Sequence, residues 1–330
     1  MLPSYCRVSG TLRGVATALQ PIRRIAAYGI LRDPADRVLL VRASPRSGAP
    51  GTWSLPGGAV DHGEHPFDTV VRETAAETGL SVGVRELVDV LADVRALPER
   101  GITIHTDRLI YTVALRGGNL RDRVGHPTDL ARFIDSGKLA GLPLRPFTAT
   151  ALGLPAAPLD LAPDEPPEYP SFHTVPGPDG LPRAQRFAAY AVATDPANRL
   201  LLTRIADGYP GGGHWHLPGG GTDYGEQPGT ALMRELAEET GQRGRLLALI
   251  GVASHRDAAS LGPEGYPIDW HGVRAFYRVV VDRPTEPWVR DTSGSTSDAR
   301  WFRWSEVASL PVTEVTREAL AQASKTTASG

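Results

Sequence analysis

The stretch Gly220–Gln242, GGTDYGEQPGTALMRELAEETGQ, decides how this chain is read. Pro228 suits the first turn of a helix and Gly241 its C-terminal stop. Between them Ala231, Leu232 and Leu236, with Met233 alongside, predict a partly apolar helix of about four turns. On such a helix Glu235, Glu238 and Glu239 fall at i, i+3 and i+4, so three carboxylates share one face. Arg234 precedes Glu238 by one turn and is within side-chain reach. Upstream, Gly219 and Gly220 let backbone carbonyls approach whatever the carboxylates hold, and Glu226 lies where loop meets helix. A solvated acidic face would show the same three acids, because exposed like charges on a helix cost only about 0.2–0.5 kcal/mol per pair. What sets this stretch apart is Gly, Glu, Arg, three Glu and Gly at fixed spacing behind a Gly-Gly turn.

Outward from this stretch the chain repeats itself. Arg24–Leu80 matches Arg186–Gln242 without a gap, with 27 of 57 pairs identical. R-x-A-A-Y recurs at 24–28 and 186–190, D-P-A-x-R-x-L-L at 33–40 and 195–202, and G-x-W-x-L-P-G-G at 51–58 and 213–220. The copies diverge after the match and converge again where Ala131-Arg132-Phe133 meets Ala299-Arg300-Trp301. A unit of this length is a domain and not a solenoid repeat. Residues 1–22 form an N-terminal extension, 23–153 a first domain, 154–183 a linker and 184–324 a second domain. Nine prolines between Pro155 and Pro182 forbid helix or central strand in the linker and favour extended backbone. Each repeat reads as strands (Ile25–Leu31, Val38–Val41 and Ile110–Leu115; Phe187–Ala191, Leu200–Leu202, Leu246–Gly251 and Val273–Val281) with a helix after the Gly-Gly turn. A closing helix is expected near Thr313–Ala323. The fold class is α+β, an α/β/α sandwich in which helices flank a mixed sheet.

The spacing G-x5-E-x7-R-E-L-A-E-E-T-G from Gly220 to Gly241 resembles the box of the Nudix hydrolases, with Gln242 departing from the bulky apolar residue expected next. The first copy, from Gly58 to Leu80, keeps Gly58, Glu64, Arg72, Glu73, Glu77 and Gly79. It has Ala76 for the first Glu of the pair and Thr74 at an apolar position. The resemblance implies hydrolysis of a diphosphate linking a nucleoside, or another organic group, to a second moiety. Glu238 and Glu239, helped by the Gly219 carbonyl, would ligate Mg²⁺ or Mn²⁺, and Glu235 would be a further ligand or the general base. Arg234 would orient the carboxylates, and Glu226 would support the loop or hold metal through water. The degenerate first site, short one carboxylate, should bind a cation weakly. The first domain then serves to pack against the second, in an intramolecular pseudo-dimer or a homodimer, or to shape its pocket. The competing reading is a non-catalytic nucleotide-binding sensor or interaction protein. A prenyl-diphosphate isomerase on the same fold needs a thiol, and Cys6, the sole cysteine, lies in the extension.

Other features bear on specificity. The segment Ser260–His271, unlike its counterpart, is expected to be a loop offering Tyr266, Trp270 and His271 to substrate. His214 and His216 have the spacing of a strand-borne metal pair, yet Thr52 and Ser54 replace them in the first copy, so they read as ordinary strand or loop residues. Asp298 is a candidate acidic ligand from outside the box. A net charge of −2 gives no electrostatic footprint for nucleic acid or membrane binding. Neither a P-loop nor an apolar run of membrane-spanning length is found. One cysteine, and no apolar segment of signal-peptide type, make a cytoplasmic setting the expectation.

Overall fold

The computed structural model describes residues 19–123, 127–159, 173–261, 266–290 and 294–327. The first repeat runs β1 (Gln20–Leu31), β2 (Val38–Ala43), β3 (Trp53–Ser54), β4 (Gly57–Ala59), α1 (Pro66–Thr78), β5 (Leu80–Leu97), β6 (Ile102–Gly118), β7 (Thr128–Ile134) and α2 (Pro146–Ala151). The second runs β8 (His173–Pro176), β9 (Pro182–Thr194), β10 (Leu200–Ile205), β11 (Trp215–His216), β12 (Gly219–Gly221), α3 (Pro228–Thr240), β13 (Arg245–Leu261), β14 (Pro267–Val280), β15 (Thr296–Phe302), α4 (Trp304–Val307) and α5 (Glu314–Thr327). Each repeat is a mixed sheet flanked by helices. In the first the order is β4-β1-β6-β5, with β1 and β6 parallel and the other pairs antiparallel; β3-β2-β7 forms a smaller sheet beside it. The second repeats this with β9 and β14 as the parallel pair.

The expected helix of the box is α3, and its N- and C-terminal signals act as read. Proline starts it, and Gly241 ends it at φ 67°, its amide bonded back to the Ala237 carbonyl. Leu232 and Leu236 are fully buried on its inner face, where each such side chain contributes about 1.5–3 kcal/mol. The strands exceed expectation. β5–β6 and β13–β14 are long hairpins of up to 18 residues in a strand, interrupted by bulges. Polar residues such as His105, Asp107 and Asp269 hide this length from a hydrophobicity pattern, because they are buried by the other repeat.

The segment 154–183 is more structured than a linker. Leu154 and Leu159 pack on the apolar cluster beneath α2. β8 pairs antiparallel with the start of β9, from His173↔Gln185 to Pro176↔Pro182. β8 is an outer strand, and that is where proline is tolerated. Residues 160–172, with four of the nine prolines, lie outside the described residues, as does Cys6. Among the described residues no helix is long and apolar enough to cross a membrane.

The two repeats face one another. One apolar cluster runs through both, joining Val70 of α1 and Leu109, Tyr111 and Ile25 to Leu232 and Leu236 of α3 and to Phe187, Val273 and Ala275. Polar contacts around it come in matched sets. Arg23 donates to the Thr222 carbonyl, and Gln185 to the Val60 carbonyl. Tyr224 reaches Thr103, and His62 reaches Asp269. The Gly225 amide donates to His105 Nδ1 at 2.7 Å, and the Gly63 amide to His271 Nδ1 at 3.0 Å. The residues in each set are related by the internal repeat, so the contacts obey an approximate two-fold axis.

Gln227 breaks the symmetry. It occupies the N-cap of α3, yet its side chain does not cap the helix. It instead bonds the Ala92 backbone of β5 twice, accepting from the amide at 2.9 Å and donating to the carbonyl at 2.6 Å. Gln227→Ala removes both bonds and should cost about 1–3 kcal/mol. Urea denaturation checks this, and an unchanged midpoint would mean that the contact does not tie α3 to the first repeat.

Candidate active site

The Gly-Gly turn of each box can be built only from glycine. Gly219 lies at φ 138°, and a Cβ there would stand 2.2 Å from the Ala189 carbonyl oxygen. A Cβ on Gly220 would come within 2.8 Å of the Glu235 carboxyl, so the bare backbone leaves a cradle against that acid. The following loop is closed by Glu226, whose Oε2 accepts from the Asp223 amide at 2.9 Å.

Arg234 gathers the acids. Its Nε and Nη2 hold both oxygens of Glu226 at 3.0 and 2.9 Å, while Nη1 reaches Glu235 at 3.0 Å and Glu238 at 3.3 Å. Glu239 stands apart, 8% exposed, accepting from the Gly219 amide at 2.8 Å and the Thr296 hydroxyl at 2.8 Å. Burial raises the proton affinity of Glu235 against the opposing pull of Arg234. The donors are carboxylates and a glycine backbone beside a cradle, the oxygen-rich chemistry that suits a hard divalent cation. As they stand, however, no three His, Cys, Asp or Glu side chains among the described residues are grouped as a ready cation cage; Arg234 bridges Glu235 and Glu238, and Glu239 turns to the Gly219 amide and Thr296.

The first copy reproduces the scaffold. Arg72 holds Glu64 at 2.7 Å through two nitrogens and Glu73 at 2.5 Å. Glu77 accepts from the Gly57 amide at 3.0 Å, as Glu239 does from Gly219. Ala76 stands where Glu238 does, so the outward carboxylate is missing.

A NUDIX domain family model matches the chain twice, over residues 22–146 and 184–323. The chain belongs to the Nudix family. A Mycobacterium tuberculosis protein provisionally named 8-oxo-dGTP diphosphatase 3 is 37% identical over 142 residues, covering 41% of this chain and 64% of its own length. An ADP-ribose pyrophosphatase of Methanocaldococcus jannaschii is 32% identical over 120 residues, 36% of this chain and 65% of its own length. The match thus spans just under two thirds of either relative. Among solved structures, the NUDIX domain of Shewanella oneidensis NrtR complexed with ADP ribose matches at 21% identity and a TM-score of 0.36, over 45% of this chain and 92% of that one.

The expected substrate loop stands otherwise than expected, whereas the two histidines beside Trp215 are the ordinary strand and loop residues they were read as. Residues 267–271 are the start of β14 and not a loop, because they pair with β13 on one side and β9 on the other. Tyr266 is exposed just before the strand and Trp270 is half-buried. His271 is fully buried, with its ring held by Gly63, Gln185 and Ser254. Burial lowers its pKa to about 4, so it is a neutral bridge to the first repeat's loop. His216 is likewise neutral, with a pKa lowered to about 3 by burial and by Arg274, and its Nδ1 lies 2.6 Å from Thr313 Oγ1. His214 is exposed and sits before the strand, so the two imidazoles do not form a metal pair. Asp298 turns to Arg300 at 2.7 Å. The residue at the box's departing position, Gln242, is buried at 1% exposure, and its amide is satisfied by Thr285 through two bonds of 3.0 Å.

Missed by sequence reasoning were His105, Asp107 and Arg23 of the first repeat, which support the intact box's loop. His105 Nε2 lies 3.1 Å from Asp107 Oδ1, leaving Nδ1 free to accept from Gly225. Burial would raise the Asp107 pKa, but His105 and Arg23 outweigh it, so Asp107 stays ionised. Alternating polar residues inside an apolar strand, His105 and Asp107 on one face, were the available signal.

Burial pushes the Glu77 carboxyl from 4.5 up to about 7. The folded state therefore holds this proton more tightly than the unfolded state. Its contribution to stability is complete below about pH 4.5, declines as pH rises and is gone above about 7, a loss on the order of 3 kcal/mol. Glu77→Gln in chelator-treated buffer should flatten that decline. Denaturation at a series of pH values checks it, and parallel curves for the two proteins would refute the assignment.

Proposed function

We propose that the second repeat hydrolyses a diphosphate linkage in a nucleotide-type substrate, a nucleoside diphosphate joined to another moiety, with Mg²⁺ or Mn²⁺ as cofactor. The observation that carries this is the complete acid set around Arg234, with Glu238 on the exposed side of α3 and Glu239 buried against the Gly-Gly turn. The names of the two relatives, an 8-oxo-dGTP diphosphatase and an ADP-ribose pyrophosphatase, point to the same class of bond.

Glu238, Glu239 and the Gly219 carbonyl would hold the cation, which supplies charge neutralisation on the diphosphate oxygens and a more acidic water. Glu235, whose proton affinity burial raises, would take a proton from the attacking water. Arg234 keeps Glu235 and Glu238 aligned, and Glu226 anchors Arg234 to the loop. Water attacks one phosphorus in line, and a phosphate monoester leaves. The first repeat, lacking the counterpart of Glu238, acts in this reading as an intramolecular dimer partner that holds the box loop through His105 and Arg23. Nucleic acid and membrane have no part in the reaction, and a cytoplasmic setting belongs to the same reading.

The test is release of phosphate or nucleoside monophosphate from a panel of 8-oxo-dGTP, ADP-ribose and other nucleotides, with and without Mg²⁺. Turnover should require the cation. Glu238→Gln should lower kcat on the order of 100-fold or more, while Glu77→Gln leaves it nearly unchanged. Turnover that survives Glu238→Gln but is abolished by Glu77→Gln would assign the chemistry to the wrong repeat. Nucleotide binding with no turnover would instead indicate a sensor.

A further inference from the structure

On the α2 side of the first repeat, four arginines converge. Arg24 comes from β1, Arg95 from β5, Arg108 from β6 and Arg145 from the residue preceding α2. Arg108 is paired through its two terminal nitrogens: Nη2 holds both oxygens of Asp93 at 2.7 and 3.0 Å, Nη1 donates to the Tyr28 hydroxyl at 2.7 Å, and its guanidinium lies 4.2 Å from the Phe147 ring centre. That pairing consumes the cluster's carboxylate. Arg24 makes no ion pair among the described residues, and its hydrogen bond to Thr106 Oγ1 is long, at 3.5 Å. Arg24 Nε, Arg95 Nη1 and Arg108 Nε are buried N–H groups with no partner. Burial and then mutual repulsion, in which Arg108 and Arg145 both take part, hold Arg24 and Arg95 below the usual guanidinium range.

A buried N–H without an acceptor is costly, and like charges brought together add to the cost. An anion would remove both penalties at once. Guanidinium donors match the paired oxygens of a phosphoryl group, and arginine is the usual side chain for that geometry. Arg24, Arg95 and Arg145 are half-buried, so part of each side chain remains open to solvent.

The second repeat provides an internal comparison. Strand register puts Arg186 and Arg274 in the places of Arg24 and Arg108. It puts His255 where Asp93 stands and Asp257 where Arg95 stands. Matching backbone bonds to Trp53 and Trp215 set Thr313 opposite Arg145. The copy that lacks a box carboxylate therefore has two arginines that the other copy lacks.

We propose that the first repeat is an anion-binding module, in which Arg24, Arg95 and Arg145, backed by Arg108, take the phosphate or diphosphate group of a small molecule without a metal ion. This rests on the arginine cluster and not on hydrolysis by the second repeat. It gives the first repeat a ligand of its own. Because α3 is bonded to β5 next to Asp93, occupancy is placed to reach the other box through Gln227.

The experiment is titration calorimetry of the full chain in EDTA with inorganic pyrophosphate, inorganic phosphate and AMP, against a chloride control. Binding of at least one phosphate probe is expected. It should weaken at least tenfold in R95Q/R145Q and persist in E238Q. Preference for pyrophosphate identifies a diphosphate ligand, and preference for phosphate or AMP a monophosphate; both support the site. The unliganded R95Q/R145Q chain should melt no lower than the parent, since repulsion is relieved, and circular dichroism reports its folding. If the double variant does not fold, R145Q alone carries the comparison. Absence of metal-free binding to all three probes, binding unchanged in the arginine variant, or binding lost in E238Q would overturn the proposal.

Discussion

A backbone amide at the bend of each box, Gly225 in one repeat and Gly63 in the other, is directed into the opposite repeat and needs an acceptor there. Each amide donates across the axis to a ring nitrogen. A histidine meets each need, accepting the amide at an Nδ1 that carries no hydrogen. Asp107 fixes that tautomer for His105, and the Ser254 hydroxyl is the corresponding partner for His271. The position of each loop, and through Glu226 or Glu64 the position of the arginine that gathers the acids, follows from this contact. The two halves are thus interlocked at the part of the fold nearest to the chemistry.

This explains why the box residues have such different surroundings despite sharing one helix. The Glu238 side chain faces outward and, among the described residues, is held by Arg234, whereas Glu239 is enclosed by the turn amide and Thr296. Packing at the end of the helix extends the enclosure, and the first copy shares part of it, with the Arg121 amide donating to the Thr78 carbonyl. The segment carrying Thr285, Trp288 and Arg290 caps the C-terminal end of α3, where Trp288 and Arg290 donate backbone amides to the Thr240 and Glu238 carbonyls. Gln242 is tolerated in an apolar position because that segment supplies its hydrogen bonds.

Much of this was legible in the sequence because it is local. The helix, its proline start and glycine stop, the turn that excludes any Cβ, and the facing acids all depend on residues within one turn or one loop. The repeat gave the second copy of the fold from the first. What was not legible depends on contacts between residues far apart in the chain. Polar residues in β6 and β14 read as the ends of strands or as a loop, since nothing in their own neighbourhood says that another domain will bury them. The pairing of β8 with β9 was masked by proline, whose effect on backbone differs between an outer strand and a central one. Four arginines from four separate elements have no common spacing to notice.

Joining the halves covalently also changes what a substitution does. In a dimer of identical chains every replacement is made twice, so an alteration that harms one active centre harms its twin, and a contact across the axis must suit both of its own copies. Here Tyr224–Thr103 and His62–Asp269 occupy equivalent places with unrelated chemistry. Ala76 can likewise stand in one helix while Glu238 is kept in the other. Fusion lets each half specialise under constraints that a symmetric pair could not escape.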